Sequence, residues 1–190
     1  IFCGHINLRH ATMDRFDRAA TADAISAMCP LLDQALTDGA IGLSTGLFYP
    51  PSKAAPTEEV IVIARVLARH NAIYVSHMRD EEDFVTESLD ETFQIGRDAG
   101  VPVIISHQKC TSPQNFGRST ETLAMIEAAR QTQAVGLDAY PYTASSTILQ
   151  PDRIDKCERV IITWSSKMPE ATGRDLDDIA KEMGLSWKEA

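Results

Sequence analysis

Residues 73–107 of the chain read IYVSHMRDEEDFVTESLDETFQIGRDAGVPVIISH, and they contain the clearest structural pattern in the sequence. Two apolar runs of strand length, 73–77 and 101–107, flank a segment in which Leu89, Phe93 and Gly96 recur at helical spacing. Gly100 follows that segment, at the position where helices commonly end in a left-handed residue. The pattern predicts a strand, a helix and a second strand, and such units have parallel strands joined by a right-handed crossover.

The same alternation extends along the chain in both directions. Further apolar runs lie at 40–47 and 135–140, a candidate strand lies at 1–6, and the spacing between strands is about 30 residues, the length of one βα unit. Strands that are apolar throughout are buried on both faces, as in parallel sheets. The sequence therefore predicts an α/β fold. The sheet is either an open doubly wound one or part of a barrel, since a whole barrel needs eight strands and about 250 residues.

Two further helices are predicted on the N-terminal side of residue 73. Thr57 is a candidate N-cap, and Val60 and Ile63 begin an apolar stripe after it. An earlier helix is predicted at 21–38, with Pro30 in its interior. Because proline lacks a backbone donor, we expect this helix to be kinked or split there.

The C-terminal part of the chain has a weaker pattern. Beyond Pro141, a strand at 160–164 and a helix at 174–183 predict a small inserted segment. The chain begins at Ile1, inside an apolar run, and ends at Ala190, just after a Ser/Glu pair with the spacing of a capping box. These features lead us to expect a piece of a longer polypeptide.

Composition excludes several classes of protein. The 190 residues are 44% hydrophobic and 24% charged, which is typical of a globular unit. Acids outnumber bases 27 to 18, for a net charge of -9, so we expect no nucleic-acid partner. No apolar run approaches the roughly 18 residues of a membrane span, so we expect no membrane partner either. A small-molecule ligand fits this composition better.

Cysteine usage favours a reducing compartment. The four cysteines show neither metal-ligand spacing nor the density of a disulfide scaffold, which predicts reduced thiols in the cytoplasm. They lie at positions 3, 29, 110 and 157.

Two histidines, His77 and His107, each follow a serine at the end of an apolar strand. In parallel α/β folds the functional site lies at the C-terminal ends of the strands, so both imidazoles would point into one site. Neutral imidazole is a good zinc ligand, but zinc needs three or four protein ligands. Periodicity alone leaves open that both are structural histidines hydrogen-bonded near strand ends.

Six segments carry a more specific resemblance. They are similar, in order and separation, to segments of the N-acyl-D-amino-acid deacylases, the D-aminoacylase family of the amidohydrolase superfamily. The histidine strands, the YPY strand and the ITW segment at 162–164 are the most diagnostic parts. The segments are GHINLR (4–9), GLSTGLFYPP (42–51), YVSHMRDE (74–81), PVIISHQKC (102–110), NFGRSTETLAMIEAAR (115–130) and LDAYPYTASST (137–147).

The resemblance implies a fold and a chemistry. The fold would be a partial (β/α)8 TIM-type barrel, roughly strands 3 to 7, with 1–147 as the central part of the catalytic barrel and 148–190 as a small inserted segment that is cut short. His77 and His107 would bind zinc, and the reaction would be hydrolysis of an N-acyl-D-amino acid to a carboxylate and a D-amino acid. The family's first-strand His-x-His pair, metal cysteine and eighth-strand aspartate base have no match here, so we expect the general base outside this chain.

The resemblance also implies a substrate carboxylate site. Lys109 and Tyr140, with a hydroxyl from Ser145 or Ser146, match positions that bind a carboxylate, which charge-assisted hydrogen bonds would hold. Without the resemblance, Lys109 would be taken as a solvated lysine. Arg79 is a further candidate for orienting substrate, although an ion pair with Asp80 or Glu81 is the alternative.

Other residues near this edge have simpler interpretations. Cys3 is expected to be a small buried hydrophobe, and Cys110 has the same expectation although it could reach a metal beside His107. Asp138 shares a strand face with Tyr140 and is interpreted as a structural carboxylate. Phe48 and the tyrosine that follows it would either wall a pocket or pack in the ordinary way. His5 is expected to end the first strand and receives no metal role.

Two alternative functions stay open. A cyclic-amide hydrolase of the dihydroorotase or hydantoinase kind shares the two histidine strands, although the YPY segment and Lys109 favour the deacylase. A non-catalytic fragment with weak or no metal binding is the second alternative. A partial barrel also leaves two sheet edges unpaired, which favours a homo-oligomer or an edge covered by the C-terminal segment.

Overall fold

A computed structural model describes all residues from 1 to 190 and contains one parallel sheet. Its five strands are neighbours in the same order in which they occur along the chain, and every pairing is parallel. The predicted α/β class is therefore confirmed. The strands are β1 (Cys3–Gly4), β2 (Gly42–Gly46), β3 (Ile73–His77), β4 (Val103–Ile105) and β5 (Val135–Leu137).

The sequential strand order decides between an open doubly wound sheet and part of a barrel, the two architectures that the sequence left open. In a doubly wound sheet the strand order reverses at a switch point, because helices cover both faces. Here each βα unit advances by one strand in a constant direction, from β1 to β5. This is the winding of a barrel, so the prediction of a partial barrel is confirmed.

The chain contains eight α-helices. Their bounds are α1 (His5–Thr12), α2 (Ala22–Thr37), α3 (Pro50–Lys53), α4 (Thr57–Ala68), α5 (Val85–Ala99), α6 (Ser119–Arg130), α7 (Pro151–Ile154) and α8 (Leu176–Met183). The predicted stripe of α4 lies in the core, where Val60, Ile63 and Leu67 have no exposed surface. Helix α5 ends as expected at Gly100, whose φ of 71° is left-handed.

Two expectations about local structure were wrong in part: a split of α2 at Pro30 and the extent of the first strand. Helix α2 is not split at Pro30 but continues through it. Pro30 lies on the exposed side of α2, where the carbonyl group that loses its partner can bind water instead. The candidate strand at 1–6 shrinks to Cys3–Gly4, because helix α1 begins at His5.

A buried polar network explains why His5 starts a helix. Its Nδ1 lies 3.2 Å from the hydroxyl oxygen of Ser52, and its Nε2 lies 3.1 Å from Oε1 of Glu59. Glu59 also accepts hydrogen bonds from Arg9 and from the backbone nitrogen of Ala20. The side chains of His5, Arg9 and Glu59 have no exposed surface. This network joins α1 to α4 and uses His5 structurally.

Glycine is required where β2 meets β3. A Cβ atom built on Gly42 would lie 2.1 Å from the carbonyl oxygen of Ile73, closer than any side chain tolerates. Gly42 and Ile73 are partners in the parallel register, which continues to Gly46 opposite His77. Gly42 therefore allows β2 and β3 to pair closely at the start of β3, and the same register places His77 at the end of β3.

The chain divides into two compact units, one built from residues 1–111 and 115–141 and the other from 112–114 and 142–190. The second unit contains α7, α8 and an isolated antiparallel bridge between Ile161 and Asp175. Asp175 caps α8 through its side chain. The assignment of 1–147 to the catalytic barrel and of 148–190 to an inserted segment stays a prediction.

None of the helices is both long and apolar enough to cross a membrane.

Candidate metal centre

His77 and His107 meet at the C-terminal edge of neighbouring strands. His77 is the last residue of β3, and His107 follows β4 by two residues. Nδ1 of His77 lies 2.9 Å from Nε2 of His107, and the ring centroids are 4.6 Å apart. Two nitrogens bound to one zinc at about 2.0–2.1 Å can be at most about 4 Å apart, so the pair fits a shared ion.

The backbone turns sharply to present His107. Strand β4 ends at Ile105, and His107 has a φ of 44°, in the left-handed region that few non-glycine residues adopt. The side chain of Asp138 accepts a hydrogen bond of 2.6 Å from the backbone nitrogen of His107. The backbone of Asp138 also bonds to the β4 side, because its nitrogen donates to Ile105 and its oxygen accepts from Gln108. Asp138 thus holds this turn, in the structural role expected for it.

Glu81 joins the two histidines to form a group of potential metal ligands. One ligand atom from each of His77, Glu81 and His107 lies within 4.8 Å of the others. Oε1 of Glu81 is 3.0 Å from Nδ1 of His107 and 2.7 Å from Nζ of Lys109. Burial raises the pKa of Glu81, but hydrogen bonds from His107 and Lys109 outweigh it, and the pKa lies below its ordinary value. The group therefore includes a carboxylate that favours its charged form.

Lys109 lies inside this cluster. Its Nζ donates to Oε1 of Glu81 and, over 2.9 Å, to the carbonyl oxygen of His107. The same atom is 2.8 Å from Nδ1 of His107 and 5.7 Å from the centre of the Tyr140 ring. Lys109 and Tyr140 are thus brought together beside the histidines, whereas their binding of a substrate carboxylate stays a prediction.

Two aromatic rings flank His77. The ring centroid of Phe48 lies 5.7 Å from that of His77, and the centroid of Tyr49 lies 5.0 Å from it. Both residues follow β2, whose last residue, Gly46, is the register partner of His77. They therefore form one wall of the candidate site.

Arg79 is held by partners other than those expected. It forms an ion pair with Glu91 of α5, not with Asp80 or Glu81, through two hydrogen bonds of 2.7 and 2.9 Å. It also donates to the carbonyl oxygens of Lys53 and Ala55. The carboxylate of Asp80 instead accepts from backbone nitrogens of its own loop. A substrate role for Arg79 stays a prediction and would require it to leave Glu91.

Several other candidates lie outside the ligand group. Cys110 packs against the apolar cluster that contains Ile105 and Ile126, and burial raises the pKa of its thiol. Cys3 packs against the main core and is likewise a partly buried thiol with a raised pKa. Ser145 and Ser146 are exposed residues of the second unit, and their substrate contacts stay predictions.

Glu81 is the residue of this centre that the sequence motifs did not single out. The sequence indicates it only as a possible ion-pair partner of Arg79. The signal that the sequence offers is its place four residues after a strand-ending histidine, in the loop that follows β3. Acids in loops are common, so only the fold could distinguish this carboxylate from its neighbours Asp80 and Asp83.

Comparison with known proteins identifies close relatives over almost the whole chain. The chain is 53% identical over 183 residues to D-aminoacylase and 49% identical over 183 residues to N-acyl-D-aspartate deacylase, both of Alcaligenes xylosoxydans xylosoxydans. Each alignment covers 96% of the chain, but the chain spans only 38% and 37% of these relatives. No protein-family model matches the sequence.

Solved structures support the same relationship. A crystal structure of D-aminoacylase superposes with a TM-score of 0.94 at 53% identity. N-acyl-D-glutamate deacylase of Bordetella bronchiseptica, solved with zinc and a phosphonate inhibitor, superposes with a TM-score of 0.96 at 44% identity. Both comparisons cover 99% of the chain and 40% of the other protein. The resemblance stated from the sequence motifs is confirmed.

Proposed function

We propose that this chain, which is homologous to part of the N-acyl-D-amino-acid deacylases, supplies the metal centre of a zinc-dependent hydrolase acting on N-acyl-D-amino acids. The observation that carries the proposal is the pair of imidazole nitrogens 2.9 Å apart at the C-terminal edge of two parallel strands. The products would be a carboxylate and a D-amino acid. The relatives' names support the substrate class and its stereochemistry, which no distance in this chain decides.

His77 and His107 would hold the zinc ion. The donor set fits, because neutral imidazole nitrogens are ligands that zinc accepts and the two that face each other are close enough to share one ion. When bound, zinc supplies a Lewis acid that polarises a carbonyl group and lowers the pKa of water. Two imidazoles do not complete a site, so we propose that further ligands come from outside the 190 residues.

Lys109 and Tyr140 would bind the α-carboxylate of the substrate. The ammonium group of Lys109 is already beside the histidines, 2.9 Å from the carbonyl oxygen of His107. A lysine donates charge-assisted hydrogen bonds to a carboxylate, and a tyrosine hydroxyl adds a neutral one. Binding there would place the scissile amide, which is next to the α-carbon, close to the two imidazoles.

The acyl side of the substrate would face the aromatic wall of Phe48 and Tyr49, which flanks His77. These rings would exclude water from one side of the reacting amide. Asp138 is not proposed as the general base, because its carboxylate already accepts from the backbone of His107. We propose that the residue that takes the proton from water lies outside this chain.

Substrate turnover tests the proposal. The complete enzyme containing this chain is assayed with N-acetyl-D-amino acids, their L-enantiomers and hydantoins, before and after zinc is removed by chelation. We expect zinc-dependent hydrolysis of the D-acyl compounds. Turnover of the cyclic amides alone would reject the proposal and support a hydantoinase-like enzyme.

The purified 190-residue chain provides a second test. It should show little or no turnover, because the proposed base and the remaining ligands are elsewhere. Robust zinc-dependent turnover by this chain would place the base within it and contradict that part of the proposal.

Light scattering on the same sample tests self-association, which we propose because β1 and β5 each pair on one side only. A stable monomer would contradict self-association.

A further inference from the structure

Glu81 contacts both a proposed zinc ligand and a proposed substrate ligand. Its Oε1 lies 3.0 Å from Nδ1 of His107 and 2.7 Å from Nζ of Lys109. We propose that Glu81 is a positioning residue that holds His107 in the tautomer with Nε2 free for zinc and holds Lys109 beside it for the substrate carboxylate. This inference rests on the proposed function and assigns to that site a residue that joins its two halves.

The chemistry of the imidazole decides which tautomer Glu81 would support. A neutral imidazole carries one proton, so Nε2 can offer its lone pair to a metal only when the proton is on Nδ1. Nδ1 of His107 has two polar neighbours, the carboxylate of Glu81 and the ammonium group of Lys109. The carboxylate can only accept, from a protonated Nδ1, whereas the ammonium group can only donate, to an Nδ1 without a proton, so the two neighbours favour opposite tautomers and Glu81 is the one that favours a free Nε2. Glu81 therefore stabilises the metal-binding tautomer.

The same carboxylate fixes Lys109. The ammonium group has three protons, and it donates to Oε1 of Glu81 and to the carbonyl oxygen of His107. The side chains of Glu81 and Lys109 are only 10% and 21% exposed, so the ion pair is largely shielded from solvent. Nζ of Lys109 and Nδ1 of His107 are 2.8 Å apart, so both are donors when Nδ1 carries the proton, and the negative charge of Glu81, which lies within 3.0 Å of both, offsets their repulsion.

The loop that carries Glu81 is itself held in place. The carbonyl oxygen of Glu81 accepts from both the backbone nitrogen and the hydroxyl of Thr111, at 2.7 and 3.1 Å. One residue earlier, the nitrogen of Asp80 donates to Ser88 of α5, and the carboxylate of Asp80 accepts from Glu82 and Phe84. The loops after β3 and β4 are therefore tied together at Glu81. Asp80 has its carboxylate occupied by its own loop, so the two adjacent acids have different roles.

The contact that Glu81 makes with His107 indicates that Glu81 orients the histidine and does not itself bind the zinc ion. Its carboxylate contacts Nδ1 of His107, whereas the nitrogen that faces His77 is Nε2, on the other side of the ring. To become a third ligand of an ion shared by the histidines, Glu81 would have to leave Nδ1. A carboxylate behind a metal-bound imidazole is a common way to orient such a ligand, and its loss typically weakens metal binding about 10–100-fold.

The first test reads the tautomer without metal or substrate. Two-bond proton–nitrogen correlation spectra of the zinc-free, histidine-labelled enzyme distinguish Nδ1–H from Nε2–H, and His107→Ala identifies the signal. We expect Nδ1–H for His107 in the unsubstituted enzyme and a shift toward Nε2–H in Glu81→Leu. Finding Nε2–H in the unsubstituted enzyme, or no shift in Glu81→Leu, would overturn the inference. Because no substrate is used, these results stand whether or not the enzyme proves to be a deacylase.

The second test separates the two roles of Glu81. Glu81→Gln should weaken zinc binding about 10–100-fold and also raise KM for the N-acyl substrate at saturating zinc, because Lys109 loses its charged partner. Glu127→Gln on α6, whose side chain is 67% exposed, is the matched control and should change neither. Loss of zinc as complete as in His107→Ala would identify Glu81 as a direct ligand and overturn the positioning role. An unchanged zinc affinity would overturn it as well.

Discussion

Nδ1 of His77 lies 2.9 Å from Nε2 of His107, although the two residues are 30 positions apart in the chain. The strands that carry them are adjacent and parallel, with Ser76 opposite Ile105 in the register. One imidazole therefore presents its δ nitrogen and the other its ε nitrogen to the same point. This relationship is the basis of the proposed zinc site.

Replacing either histidine should remove this site. We expect His77→Ala and His107→Ala each to weaken zinc binding by more than the roughly 100-fold that marks loss of an outer partner, because a direct ligand is lost. The measurement is zinc content after dialysis, with competition titration for the affinity. His10→Ala is the control, since His10 is exposed and its ring lies against that of Phe16, far from the ends of β3 and β4 in the sequence. Full zinc retention in both strand variants would show that the histidines are structural.

The buried carboxylate of Glu59 should make stability depend on pH. Burial raises its pKa, but hydrogen bonds from His5, the nitrogen of Ala20 and Arg9 outweigh it, and the pKa lies below the ordinary value. A carboxyl group with a lowered folded-state pKa stabilises the protein above its unfolded-state pKa, and this stability is lost as pH falls through the folded-state pKa.

Glu59→Gln should therefore reduce the free energy of unfolding at pH 7 by about 3–5 kcal/mol, since Arg9 keeps a buried charge without a charged partner. The difference from the unsubstituted protein should shrink as pH falls below about 4, because protonated Glu59 then resembles glutamine. Urea unfolding from pH 7 to pH 3 measures it. Glu58→Gln, the exposed neighbour, should change little. A difference that stays constant with pH would contradict the role assigned to Glu59.

Two glycines in the sheet should differ in how much stability they lose when replaced by alanine. In Gly42→Ala the new methyl group meets the carbonyl oxygen of Ile73 at 2.1 Å, so β2 and β3 must separate, at a cost of about 1–3 kcal/mol or more. At Gly136 of β5 the nearest atom would be 3.7 Å away, an ordinary contact. Gly136→Ala should stay within about 1 kcal/mol of the parent. Thermal unfolding compares the two, and equal losses would contradict the β2–β3 register.

Two valines of α4 test the orientation of that helix. Val60 has no exposed surface, and Val62 is 40% exposed. Val60→Ala should lower the free energy of unfolding by about 1.5–3 kcal/mol, from lost burial and the cavity left behind. Val62→Ala removes the same atoms and should cost less than about 0.5 kcal/mol. Denaturant unfolding of both variants measures the difference, and similar losses would mean that α4 packs on another face.

The sequence predicted much of the architecture because its signals are local. Apolar runs of strand length, a helical stripe and Gly100 are all read within one βα unit, and they located β3, α5 and β4. His77 and His107 were also found in this way, because each ends an apolar strand and parallel strands share one functional edge. The sequence motifs further identified Lys109 and Tyr140, which the fold brings together.

Features that depend on partners distant in the chain followed only from the packing of the fold. His5 follows an apolar run but begins a helix, because its ring bonds to Ser52 and Glu59, 47 and 54 residues away. Arg79 has acids directly after it but pairs with Glu91, which α5 presents to it. Glu81 is held beside His107 because the loop after β3 is hydrogen-bonded to Thr111 of the loop after β4. Local patterning reports which face of an element is buried, whereas the partner of a polar group depends on which elements pack together, and no single segment contains that information.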